Sequence, residues 1–186
     1  MDSLYVQTPI LELGSSLKHL GIPCYLKMEA LQPSGSYKNR GFGLLLSDYV
    51  QRGKNSFITA SLGNSGLASA YSCRQLNVSL KVVVPTTVPA CMKEKIALEG
   101  AELIVSGDDF ESADHVAKSV ASEEKITYIP PHDHPLIFEG ISTLVYEIYG
   151  AGLKPGCIVL PVGVGELLIG VCQGLHACKW QNIPII

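Results

Sequence analysis

Lys38 stands in the stretch Ser34-Gly35-Ser36-Tyr37-Lys38-Asn39-Arg40-Gly41. Lysine is the common side chain whose amine condenses with an aldehyde to form a Schiff base. Most lysines are solvated surface charges, so its neighbours are what single this one out. It follows a proline and a small glycine-serine turn and heads an apolar helical pattern. The small residues let the backbone come near a planar ligand, and Tyr37 can pack on an aromatic ring beside the amine. Arg40 is two positions further on, and on a helix such residues point apart; it is read as structural.

Two glycine-containing turns offer partners for that chemistry. Ser61-Leu62-Gly63-Asn64-Ser65-Gly66 lies between an apolar strand pattern and an Ala-rich helical one. A helix N-terminus there exposes unpaired N–H groups and the positive end of the dipole, which favours an anion. Asn64 can also present an amide donor to a phenolic oxygen. The same residues equally read as a plain Asn/Ser N-cap. Pro161-Val162-Gly163-Val164-Gly165-Glu166-Leu167 is the second turn, and its backbone N–H groups can cradle a phosphate. It is also a tight strand-to-helix turn. A dinucleotide fingerprint fails, because Leu168 stands where the third glycine belongs.

The elements that position these turns recur. Apolar β-rich runs fall at Phe57 to Ala60, Leu80 to Val84, Leu103 to Val105, Tyr128-Ile129, Cys157 to Leu160 and Ile183 to Ile186. Helical patterns lie between them, at Tyr37 to Arg52, Asn64 to Asn77, Ala90 to Glu99, Phe110 to Glu123 and Pro135 to Tyr149. The third and fourth are more charged and predicted to face solvent. Alternating strands and helices with continuous apolar strands imply an α/β protein whose parallel sheet is covered on both faces. The chain stops at Ile183-Pro184-Ile185-Ile186, inside an apparent buried strand, so the expectation is a longer protein cut short here.

Composition narrows the function classes. The chain has 186 residues, 47% hydrophobic, which is enough for a real core and argues against disorder. A net charge of -3 without a basic block gives no nucleic-acid footprint. The N-terminus does not read as a signal peptide, and no apolar run reaches the roughly 20 residues that cross a bilayer. The cysteines at 24, 73, 91, 157, 172 and 178 are scattered without a CxxC pair. That spacing points to a reducing, cytoplasmic setting. His132-Asp133-His134 lacks further ligands, and His19, His115 and His176 lack evident partners, so no metal is expected.

Taken together, the Lys38, Asn64 and glycine-turn motifs resemble the serine/threonine dehydratase branch of the pyridoxal-phosphate enzymes with the tryptophan-synthase-β fold (fold type II). Thr8-Pro9-Ile10, Tyr25 to Glu29, Gln32 to Gly41, Ala68 to Gln75, Val82 to Pro85, Tyr128 to Gly140 and Leu160 to Gly174 carry the resemblance over essentially the whole chain. It implies a small α/β domain at residues 37–135, between the start (1–36) and an incomplete continuation (136–186) of a large domain. It implies that Lys38 holds pyridoxal 5'-phosphate and shuttles the α-proton. By the same resemblance Tyr37 and Asn64 contact the cofactor, and Gly163, Val164, Gly165, Glu166 and Leu167 form the phosphate cup. Ser61, Asn64 and Ser65 receive the substrate carboxylate.

The reaction so implied is dehydration of L-serine or L-threonine through an aminoacrylate, giving pyruvate or 2-oxobutanoate plus ammonia. A homodimer is implied as well. A β-replacement enzyme or a racemase on the same fold is a rival, as is a truncated, catalytically inactive paralogue. Three features depart from the family pattern. Its phosphate cup is an uninterrupted glycine run, interrupted here by Val164 and Glu166. A carboxylate about 4 Å from a phosphate charge costs about 4 kcal/mol at an intermediate dielectric; two orientations are open to Glu166, beside the phosphate at that cost or out into solvent. Asn39 replaces an aliphatic residue, a change suited to a half-exposed position. Family members also continue well beyond residue 186, so weak cofactor binding and low turnover are expected of this polypeptide alone.

Overall fold

A computed structural model describes residues 3–14 and 21–186; His19 lies outside the described residues. Four of the six expected strands form a parallel sheet: β3 (Ser56–Ala60), β4 (Ser79–Val84), β5 (Glu102–Val105) and β6 (Thr127–Tyr128), in the order β5-β4-β3-β6. Before them come β1 (Ile10–Glu12) and β2 (Tyr25–Lys27), a short antiparallel pair. The helices are α1 (Lys38–Gln51), α2 (Asn64–Gln75), α3 (Ala90–Leu98), α4 (Phe110–Glu124), α5 (Pro135–Gly150) and α6 (Glu166–Ala177).

The strands are apolar throughout because both sheet faces are covered. Phe57, Leu80, Val82 and Val84 point into the main core with Phe42, Leu45 and Leu46 of α1, Ala68 and Cys73 of α2 and Ile96 of α3. The alternate residues Ile58, Ala60 and Val83 meet Ala113 and Ala117 of α4 on the other face. Only Ile96 of α3, and Ala113 and Ala117 of α4, are buried, as the charged patterns of those helices predict.

Helix ends follow local chemistry. Asp109 and Ser112 form a reciprocal capping box at the start of α4. Pro135 opens α5, and the His134 ring nitrogen accepts from the Leu136 N–H at 3.2 Å. The His-Asp-His stretch thus includes a helix cap.

One expectation needs correction. Cys157 to Leu160 and Ile183 to Ile186 are not strands of the main sheet; they pair with each other in parallel around one bridge between Ile158 and Ile185, through the N–H groups of Ile158, Leu160 and Ile186 donating to Pro184, Ile186 and Ile158 at 2.9, 3.1 and 2.8 Å. Pro161 and Pro184 supply no N–H donor, and two paired segments without a third are marginal. Val159 and Ile186 remain 75% and 73% exposed, which is inconsistent with a buried strand pair.

Helices α1, α5 and α6 approach through small residues. A methyl group added at Gly140 of α5 would lie 2.3 Å from the Arg40 carbonyl oxygen of α1. At Gly170 and Gly174 of α6 it would meet Ile141 at 2.5 Å and Val145 at 2.6 Å. This seam carries the start of α6 toward the start of α1.

Gly140→Ala therefore destabilises by about 1–3 kcal/mol, since it is backbone that must give way. Gly150→Ala, with nothing within 4 Å, is neutral or stabilising by up to about 1 kcal/mol. Urea unfolding midpoints check both, and equal midpoints for the two variants would show the seam to be loose.

Candidate active site

The start of α1 is fixed by a buried polar network. Arg40 is fully buried, and a guanidinium out of water is tolerable only when paired. It grips Glu29 with Nε and Nη2, both at 2.7 Å, and Glu147 of α5 with Nη1 at 2.6 Å and Nη2 at 3.0 Å. Nη1 also donates to Thr143 at 2.9 Å. Lys27 supplies the second cation, paired with Glu147 and donating to the Thr8 hydroxyl at 2.7 Å. Two carboxylates and two cations thus close the network. Burial acts to raise the Glu29 carboxyl, but the Arg40, Thr8 and Gln32 hydrogen bonds and the Arg40 charge bring it below its ordinary value of 4.5.

Asn39 is a correction. The position is fully buried rather than half exposed. Its amide is employed at both ends, accepting from the Ser34 N–H at 3.2 Å and donating to the Leu4 carbonyl at 2.5 Å. That pairing explains how an amide fills a site suited to an aliphatic residue. The turn feeding Lys38 also contains two buried hydroxyls, Ser34 Oγ and Ser36 Oγ, with no partner among the described residues.

Lys38 is the first residue of α1, and its side chain is 14% exposed. The first turn of that helix carries no acidic residue, so an ammonium there opposes the helix dipole unless an anion comes from elsewhere. Glu166 supplies it. Its side chain is 4% exposed and its Oε1 is ion-paired with Lys38 Nζ. The same oxygen accepts from the Tyr37 hydroxyl at 2.9 Å. Of the two orientations open to Glu166 the inward one is observed, where it answers both Lys38 and the N-terminus of its own helix α6.

The titration directions agree with the geometry. Burial acts to raise the Glu166 carboxyl, yet the Lys38 hydrogen bond and charge, its own backbone N–H and the Tyr37 hydroxyl hold it below 4.5. Burial, then the Glu166 charge, pushes the Tyr37 phenol up, so it stays a donor.

The other expected cup residues part company. Gly165, at φ +97°, turns the chain into α6 in the left-handed region that glycine favours. Gly163 is exposed, and Val164 is accommodated by pointing outward at 65% exposure. Leu167 packs into the core.

The Ser61 turn lies at the start of α2, which packs on α1. The Ser61 hydroxyl is buried, accepts from the N–H groups of Gly63 at 2.9 Å and Gly66 at 2.8 Å, and lies 2.8 Å from Ser65 Oγ. It shapes the turn. Asn64 is exposed and Ser65 half-buried. No hydrogen bond among the described residues joins this turn to the Lys38–Glu166 pair.

Sequence reading missed Glu29, Glu147 and Thr143 as the partners of Arg40. The available signal was the impossibility of an unpaired arginine in the first turn of an apolar helix.

Comparison with known proteins bears on this geometry. A family model described as "Pyridoxal-phosphate dependent enzyme" matches residues 1–186. The human protein named L-serine dehydratase/L-threonine deaminase is 42% identical over 187 residues, covering 100% of this chain and 57% of that protein. The chain therefore spans little more than half the length of this curated relative. The crystal structure of a fungal L-serine ammonia-lyase from Rhizomucor miehei superposes with a TM-score of 0.91 at 36% identity, covering 99% of this chain and 59% of the other. The structure of maize serine racemase also gives 0.91, at 25% identity, covering 97% and 55%. The fold is thus the tryptophan-synthase-β-like, fold-type-II arrangement that the resemblance implied.

Pyridoxal phosphate, the cofactor of that family, fits these residues at one end. At the aldehyde end are the Lys38 amine and the Tyr37 hydroxyl, joined through Glu166. At the phosphate end, Gly163 and Gly165 have no atom within 4 Å of an added methyl, but the Glu166 carboxylate holds the helix start. A phosphate dianion placed there meets a like charge.

Arg40→Met leaves the Glu29 charge without a cation and Glu147 with Lys27 alone, and it lowers stability by about 3–5 kcal/mol. Because the folded Glu29 carboxyl sits below its unfolded value, its stabilising contribution is present above about pH 4.5 and is lost as pH falls through the depressed value. Urea midpoints measured down the acid limb show this loss in wild type and a shallower one in Glu29→Gln. Parallel acid limbs would count against the Arg40–Glu29 pairing.

Proposed function

The chain belongs to the pyridoxal-phosphate-dependent enzymes, and from that premise we propose that its chemistry is ammonia-lyase chemistry on L-serine and L-threonine. Serine gives pyruvate and ammonia, and threonine gives 2-oxobutanoate and ammonia. The observation that carries this reading is Lys38 itself, a half-buried amine heading α1 beside two buried, unpartnered hydroxyls. The relatives named for serine and threonine support the substrate class.

In this reading Lys38 is the catalytic residue, the covalent attachment point and the carrier of the substrate α-proton. When bound, the family's cofactor supplies an electron sink for the carbanion left by that proton. The N–H groups at the start of α2, with Asn64 and Ser65, receive the substrate carboxylate, and Ser61 holds the turn that presents them. Tyr37 remains protonated and steadies the polar side of the site. A homodimer in a reducing, cytoplasmic compartment belongs to the same proposal, supported by the family resemblance and by six free thiols.

Maize serine racemase has a similar fold, so products rather than architecture decide between the rivals. The Lys38–Glu166 pair favours one other reading, a member of the family that does not turn over. Incubation with L-serine at saturating pyridoxal phosphate separates them. The expected result is pyruvate release that falls at least 10³-fold in Lys38→Ala, a loss of about 4 kcal/mol of transition-state stabilisation. D-serine without pyruvate would support the racemase, and neither product would support the inactive reading.

A further inference from the structure

The chain itself places an anion at the start of α6. Glu166 is the first residue of that helix, and its buried carboxylate binds Lys38 Nζ and the Tyr37 hydroxyl through one oxygen. Helix N-termini attract one anion well, and a second anion at the same place meets the first at short range. Gly163 and Gly165 leave open space around the turn, so it is charge rather than bulk that opposes a phosphate there.

We propose that Glu166 is the specificity-determining residue of this site, selecting among aldehydes by the charge of the substituent on the ring carbon next to the one that bears the carbonyl. A pyridine aldehyde carrying a neutral hydroxymethyl group is accepted, and one carrying a phosphate dianion is discriminated against. The inference rests on the reading of Lys38 as the aldehyde-binding amine.

The chemistry of discrimination is simple. The Lys38 amine adds to the aldehyde carbon, water leaves and a carbon–nitrogen double bond forms, identically for both aldehydes. Their substituents on the neighbouring ring carbon differ. A hydroxymethyl group can donate its O–H to the Glu166 carboxylate, whereas a phosphate dianion offers only acceptors facing an acceptor. Loss of the Glu166 charge also changes the environment of Lys38, but equally for the two aldehydes. The ratio of their affinities therefore isolates the effect at that substituent.

The test titrates the full chain with pyridoxal and with pyridoxal phosphate, reduces each mixture with borohydride to a stable secondary amine, and locates the adduct by peptide mass. Wild type, Glu166→Gln and Glu166→Gly are compared, with circular dichroism confirming that each is folded. Glu166→Gln removes charge at nearly constant size, so the result does not depend on the glycine variant alone. The expected outcome is an adduct on Lys38 in all three. The preference for pyridoxal phosphate over pyridoxal should rise at least tenfold in both variants relative to wild type. An adduct on Lys38 with a ratio unchanged within twofold overturns the role of Glu166 and leaves the proposed function standing. No adduct on Lys38 with either aldehyde in any of the three overturns the proposed function and this inference with it.

Discussion

The buried guanidinium of Arg40 is the constraint from which the site follows. A charge with no solvent access demands partners, and the chain provides them from a short turn at Glu29 and from the middle of α5 at Glu147. Those partners lie 11 and 107 residues away in sequence. Removing either leaves like or unlike charge buried without compensation, a cost that no surface pair approaches. Satisfying Arg40 therefore fixes the register of α1 against α5. Lys38, two residues earlier at the head of the same helix, inherits that placement.

A second constraint builds on the first. The glycine seam lets α5 sit against α1 and α6 against α5, so two helix starts carrying opposite charges come into contact. The ammonium of Lys38 begins a helix that would otherwise oppose it, while the carboxylate of Glu166 begins a helix that favours it. Pairing them relieves the first and occupies the second. The amine is then held in place by the carboxylate at the start of α6. In the proposed reading, attachment chemistry and anion selection are coupled through one carboxylate oxygen.

Much of this was legible in the sequence, and the divide has a physical basis. Lys38 at a helix start, the structural role of Arg40, the βα alternation and the Pro135 helix start all rest on local pattern, and local pattern suffices for them. The direction of Glu166 rests on packing between residues 128 apart, where the sequence left both solvent and interior open. Asn39 illustrates the same limit, since its burial depends on a contact with Leu4 rather than on its neighbours. The β1–β2 pair is three residues per strand, too short for a period to register. The strands expected at 157–160 and 183–186 showed the opposite error. Their apolar composition was real and the two segments do pair, but without a third partner they build no sheet and leave Val159 and Ile186 exposed.

The central claim is that Lys38 and Glu166 form a buried ion pair at the head of the site. Its most direct test is the titration of the Glu166 side-chain carboxyl, followed by carbon NMR in wild type and in Lys38→Met. The pair stabilises the charged carboxylate, so the wild-type midpoint is expected below the ordinary 4.5. In Lys38→Met burial acts with less opposition, and the midpoint is expected to rise. Identical midpoints in the two proteins would contradict the account.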